Sequence, residues 1–91
     1  MSLSDIPDNN STILIVDDTR TIRMMLRKLI KKINDQFIVI EAESGEKALE
    51  EIKNNKIDLM FLDINMPNMC GFNVIKRCKH DQLNISVDNI V

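Results

Sequence analysis

The sequence predicts a three-layer α/β/α sandwich: short apolar runs alternate with amphipathic stretches, and two of the runs end in aspartate. Strands that alternate with helices are joined by right-handed crossovers, which make the strands parallel and cover both faces of the sheet. A length of 91 residues suits one domain with a small core.

Residues 1–10 are polar and acidic and read as a flexible leader preceding a domain over 11–91. Thr12-Ile13-Leu14-Ile15-Val16 is a continuous apolar run, the mark of a strand buried on both faces. In the following helix, Ile22, Met25, Leu26, Leu29, Ile30 and Ile33 recur at steps of three and four and form one apolar stripe, with Thr19 at the N-cap. The second strand is Phe37-Ile38-Val39-Ile40. Ser44 caps a second helix that carries Ala48, Leu49 and Ile52 inward and ends at Asn54-Asn55. Leu59-Met60-Phe61-Leu62 forms the third strand, and a loop with Pro67 and Gly71 leads to a third helix with Phe72, Ile75 and Cys78 inward. The order is β-α-β-α-β-α, and Asn89-Ile90-Val91 is expected to begin a fourth strand.

Composition narrows the function classes. A formal net charge of −2 gives no general attraction to nucleic acid or anionic membrane, so neither is expected as a partner. The apolar runs are too short to cross a bilayer, and the polar leader is not a secretory signal. Phe37, Phe61 and Phe72 sit in apolar contexts and offer no platform for stacking bases. Cys70 and Cys78 lack metal-knuckle spacing and read as reduced thiols of a cytoplasmic protein. The methionines Met24, Met25, Met60, Met66 and Met69 read as core or loop residues. His80, at the end of the third helix, suits the helix dipole and has no second histidine to make a ligand pair. Helix one carries Arg20, Arg23, Arg27, Lys28, Lys31 and Lys32 without an acid. A solvated face balanced by acids elsewhere is the expectation, and docking of an acidic partner is the alternative.

Aspartates supply the chemistry. In an open parallel sheet, ligands bind beyond the carboxyl ends of the strands, near the switch in strand order. Asp17 and Asp18 end strand one and Asp63 ends strand three. A lone aspartate there is ordinarily a helix cap; three on two strands that are expected to be adjacent exceed what capping needs. Such carboxylates repel, and a hard, oxygen-seeking cation such as Mg2+ relieves the repulsion. Asp17, Asp18 and Asp63 are therefore expected to form a divalent-metal pocket.

These segments resemble the receiver domain of two-component response regulators. The resemblance is carried by Ile13-Leu14-Ile15-Val16-Asp17-Asp18, by Glu41 to Leu49 (EAESGEKAL), by Asp58 to Pro67 (DLMFLDINMP) and by Cys70-Gly71-Phe72. It implies a flavodoxin-like fold with strands one and three adjacent. It implies that Asp63 is the phosphoacceptor, taking a phosphoryl group from a histidine kinase or a histidine phosphotransfer protein in a phosphorelay. Asp18 matches the direct Mg2+ ligand, Asp17 the acid acting through water, and Asn65 the position whose backbone carbonyl completes the metal shell. No turnover of an external substrate is implied.

The family also has a hydroxyl residue ending strand four and a lysine ending strand five, and this sequence stops before either. The expectation is therefore a C-terminally truncated receiver, with a homodimer covering the incomplete sheet. The alternative is a phosphorylation-incompetent fragment that acts as a protein-interaction module. Haloacid-dehalogenase-type phosphohydrolases need a second aspartate two residues after the nucleophile; Asn65 holds that position here, which argues against that chemistry.

Overall fold

A computed structural model of the chain describes residues 11–64, 66 and 71–80. The expected leader, the Asn65 carbonyl and the expected fourth strand lie outside these residues, as do the side chains of Phe72, Cys78 and His80. The elements are β1 (Thr12–Val16), α1 (Arg20–Ile33), β2 (Ile38–Ala42), α2 (Gly45–Asn54), β3 (Leu59–Leu62) and α3 (Gly71–His80). The sheet is parallel with order β2-β1-β3, so β1 is central and strands one and three are neighbours, as the resemblance implies.

Side-chain alternation along β1 builds the layers. Leu14 and Val16 point to one face, where Ala42 and Met60 join them beneath Ala48, Leu49 and Ile52 of α2 and Val74 of α3. Ile13 and Ile15 point to the other, packing with Val39, Leu59 and Phe37 against Ile30 of α1. Helices thus lie on both faces, and the α/β/α expectation holds.

The α1 stripe departs from expectation. Of its six predicted inward residues, Ile30 is buried and Ile22 and Leu26 are half-buried, while Met25, Leu29 and Ile33 are 51%, 54% and 57% exposed. Met24 is exposed as well, so neither Met24 nor Met25 is a core residue. The reason is geometric. α1 packs chiefly on β1, and one helix lying on a strand buries a line of side chains narrower than a full apolar stripe.

Smaller corrections have local causes. β2 starts one residue later than predicted and continues through Glu41 to Ala42, because the Glu41 carboxylate is held by Arg23 and Arg27 and the Ala42 carbonyl accepts the Asp17 N–H at 3.1 Å. Thr19 stands at the N-cap of α1, but its hydroxyl makes no capping bond. Instead its N–H donates to Asp17 Oδ1 at 2.8 Å, so the aspartate closes the strand-to-helix turn. Among the described side chains of α3, Val74 is buried and Ile75 is half-buried. The Ser44 cap is as predicted, its Oγ accepting the Lys47 N–H at 3.1 Å. Asp58, to which no role was assigned from sequence, takes the Thr12 N–H on Oδ2 at 2.7 Å and ties β3 to the start of β1.

Candidate functional site

Register brings the aspartates together. Val16 pairs with Leu62, and the ladder runs one step further as the Asp63 N–H donates to the Val16 carbonyl at 2.9 Å. Asp17, Asp18 and Asp63 therefore leave neighbouring strands at the same height, beyond their carboxyl ends. Each offers a carboxylate oxygen, and all these oxygens lie within 4.8 Å of one another. Asp17 and Asp63 are half-buried and Asp18 is exposed, so the cluster opens to solvent. Beside it runs a groove of about 320 Å³ with Asp17 and Asp63 at its acidic end and Ile22, Leu26 and Phe61 along its apolar wall.

This donor set fits a hard cation. Oxygens bound directly to one Mg2+ lie at about 2.1 Å from it, hence no more than about 4.2 Å apart, and Mg2+ ordinarily keeps several waters. A spread of up to 4.8 Å accommodates direct carboxylates together with one acting through water. Asn65, the remaining predicted site residue, lies outside the described residues.

A cationic clamp, not foreseen as part of the site, stands behind the aspartates. Arg23 donates from Nε to Glu41 Oε1 at 3.1 Å and from Nη1 to the Asp17 carbonyl at 2.7 Å. Arg27 donates from Nε to Glu41 Oε2 at 2.7 Å and from Nη2 to the Val39 carbonyl at 3.2 Å. Lys31 donates to the carbonyls of Asp35 and Phe37. Half of the basic residues on α1 are thus engaged within the chain: Arg23 and Arg27 are balanced by the acid Glu41, but Arg23 is too buried to belong to a solvated face, and Lys31 meets backbone carbonyls. The sequence signal was a glutamate closing an apolar strand opposite a helix rich in arginine.

Burial alone would raise the Glu41 carboxyl, but hydrogen bonds and charge from Arg27 and Arg23 outweigh it and hold the group below the ordinary carboxylate range. A depressed folded-state pKa gives stability that is present above the unfolded value, about 4.3, and lost as pH falls through the folded value. Glu41→Gln should therefore flatten the acid limb of the stability curve, read as the urea midpoint between about pH 5 and about pH 3. Acid limbs of equal slope in the two proteins would contradict this.

Comparison with known proteins agrees with this geometry. The family model described as the response regulator receiver domain matches residues 13–90. Chemotaxis protein CheY of Bacillus subtilis (strain 168) is 43% identical over 67 residues, covering 74% of this chain and 55% of that protein. The N-terminal domain of a response regulator receiver protein from Methanoculleus marisnigri JR1 superimposes with a TM-score of 0.71 at 36% identity, covering 77% of this chain and 55% of that one. Response regulator protein TrrA of Thermotoga maritima, solved in complex with Mg(2+)-BeF, gives a TM-score of 0.72 at 32% identity, covering 79% of this chain and 61% of that one. This chain spans little more than half the length of these relatives.

Proposed function

This chain belongs to the response regulator receiver domain family, and we propose that it accepts a phosphoryl group on Asp63, with Mg2+ held by Asp18 directly and by Asp17 through water. The observation that carries the reading is the convergence of the three carboxylates within 4.8 Å beyond the ends of β1 and β3. Receiver domains are phosphoacceptor modules of two-component signalling and bind Mg2+ at an acidic cluster. For this chain the donor is a phosphohistidine of a histidine kinase or phosphotransfer protein. A carboxylate oxygen of Asp63 attacks phosphorus, the P–O bond forms as the P–N bond breaks, and the imidazole, already protonated on its other ring nitrogen, leaves as a neutral ring, giving an acyl phosphate. Bound Mg2+ would neutralise charge on the phosphoryl oxygens and hold them in line. Asp17 and Asp18 orient that charge, while Ile22, Leu26 and Phe61 line the groove beside it. On the family's pattern, the Asn65 carbonyl would complete the cation's shell. No external substrate is turned over.

Among the described residues no helix is long and apolar enough to cross a membrane, and a cytoplasmic location fits a histidine-kinase partner. Incubation with Mg2+ and a small phosphodonor, followed by intact mass spectrometry, tests the reading. A phosphoryl adduct that requires Mg2+ is the expected result. Absence of an adduct in a folded, metal-loaded chain would leave the interaction-module alternative in its place.

The cation site has its own test. Asp18→Asn should weaken Mg2+ binding in calorimetry by roughly tenfold or more, since Mg2+ sites rest on only one or two carboxylates. Unchanged affinity would remove Asp18 from the site. A second copy of the chain is the proposed cover for the exposed Met25, Leu29 and Ile33 flank of α1. Sedimentation should then give a mass that rises with concentration; a monomer at every concentration would rule the homodimer out.

A further inference from the structure

We infer that Arg23, anchored by Glu41, is a positioning residue for the cation pocket: it fixes the Asp17–Asp18 peptide and thereby aims Asp18. The inference rests on the reading of Asp17, Asp18 and Asp63 as a metal site.

Asp18 has little of its own to hold it. Its side chain is exposed, and its contact with the Thr19 hydroxyl, at 3.5 Å, is at the outer limit of hydrogen bonding. Its position is set through the backbone before it. There the Asp17 N–H is bound to the Ala42 carbonyl at 3.1 Å, and the Asp17 carbonyl is bound by Arg23 Nη1 at 2.7 Å. A peptide is planar, so fixing the direction of the Asp17 carbonyl fixes the plane from which the Asp18 Cα departs. The guanidinium is itself immobile: its side chain is only 12% exposed, and its Nε is bound to Glu41 on β2. One rigid fork thus joins α1, the end of β1 and β2. Metal pockets tolerate errors of only about 0.5 Å in ligand position, which is what such support secures.

Charge and position predict opposite signs. As a mere positive charge near the pocket, Arg23 repels a cation, and its removal would tighten binding. As a positioning residue, its removal loosens Asp18 and weakens binding. Mn2+ affinity of the whole chain, read by electron paramagnetic resonance with folding checked by circular dichroism, separates the two. Arg23→Gln should weaken Mn2+ roughly tenfold, in the range seen when a group supporting a metal ligand is lost. Arg23→Lys should fall between, because an ammonium cannot serve Glu41 and the Asp17 carbonyl in one planar fork. Arg27→Gln removes a charge from the same Glu41 but no bond to Asp17, and should shift affinity by no more than about twofold given screening.

Affinity unchanged or tightened in folded Arg23→Gln overturns the inference. Should Arg23→Gln not fold, Arg23→Lys keeps the charge and breaks the planar fork; several-fold weaker Mn2+ supports the inference and unchanged affinity overturns it. An unaltered chain that binds no Mn2+ overturns the cation-site reading itself, and this inference with it. Binding that Asp18→Asn abolishes and Arg23→Gln preserves overturns this inference alone.

Discussion

Asp63→Asn should abolish the phosphoryl adduct completely, without unfolding the chain. The substitution exchanges an anionic oxygen for a neutral amide, which is no nucleophile toward phosphorus, while shape and volume are nearly conserved. The backbone bond that docks this residue, from its N–H to the Val16 carbonyl at 2.9 Å, does not involve the side chain. β3 is therefore expected to keep its register with β1. Intact mass spectrometry after exposure to Mg2+ and a small phosphodonor reads the result directly. An adduct of undiminished yield in Asp63→Asn would move the acceptor to another side chain and sink the assignment. Acid lability of the adduct in the unaltered chain is a second check, because an acyl phosphate and a phosphoserine differ in it.

The largest stability effect is expected at Leu14. It is fully buried at the middle of the central strand, between Ile40 on β2 and Met60 on β3. Truncating a buried leucine to alanine costs about 2–5 kcal/mol, through lost transfer energy and the cavity left behind. Domains as a class are stable by only about 5–15 kcal/mol, and small ones bury proportionally less surface. Leu14→Ala should thus remove a large part of the margin, with a much lower urea midpoint at a similar denaturant slope. Leu29→Ala is the informative contrast. Both leucines belong to apolar patterns in the sequence, yet Leu29 is 54% exposed, and substitutions at exposed positions ordinarily stay within about 0.5 kcal/mol. Equal losses at the two positions would mean that the flank of α1 is covered in solution, as by the proposed second copy.

What was legible in the sequence is what depends on local order. Apolar runs ending in Asp17-Asp18 and Asp63 identified the strands, Ser44 identified the start of α2, and the alternation of elements required a parallel sheet. Since strand ends carry the ligands in such sheets, the acidic pocket followed from the same reading. Less legible was the width of each buried face. Periodicity says which α1 residues share a side but not how far the neighbouring layer extends, so Met25, Leu29 and Ile33 read as core beside Ile30. Side-chain bonding between distant elements was likewise hidden. Arg23 and Glu41 are separated by 18 positions and by a turn of the chain, and nothing in their spacing announces a shared hydrogen bond.

Element order, the parallel sheet and the aspartates at its carboxyl edge are written in the local sequence, because hydrophobic periodicity and strand-end placement are properties of the chain taken a few residues at a time. Packing in three dimensions sets which strand neighbours bring Val16 level with Leu62, how closely the three carboxylates approach, and that Arg23 reaches back to the Asp17 carbonyl. Those are distances between segments remote in sequence. They depend on how the layers pack, and local pattern does not encode them.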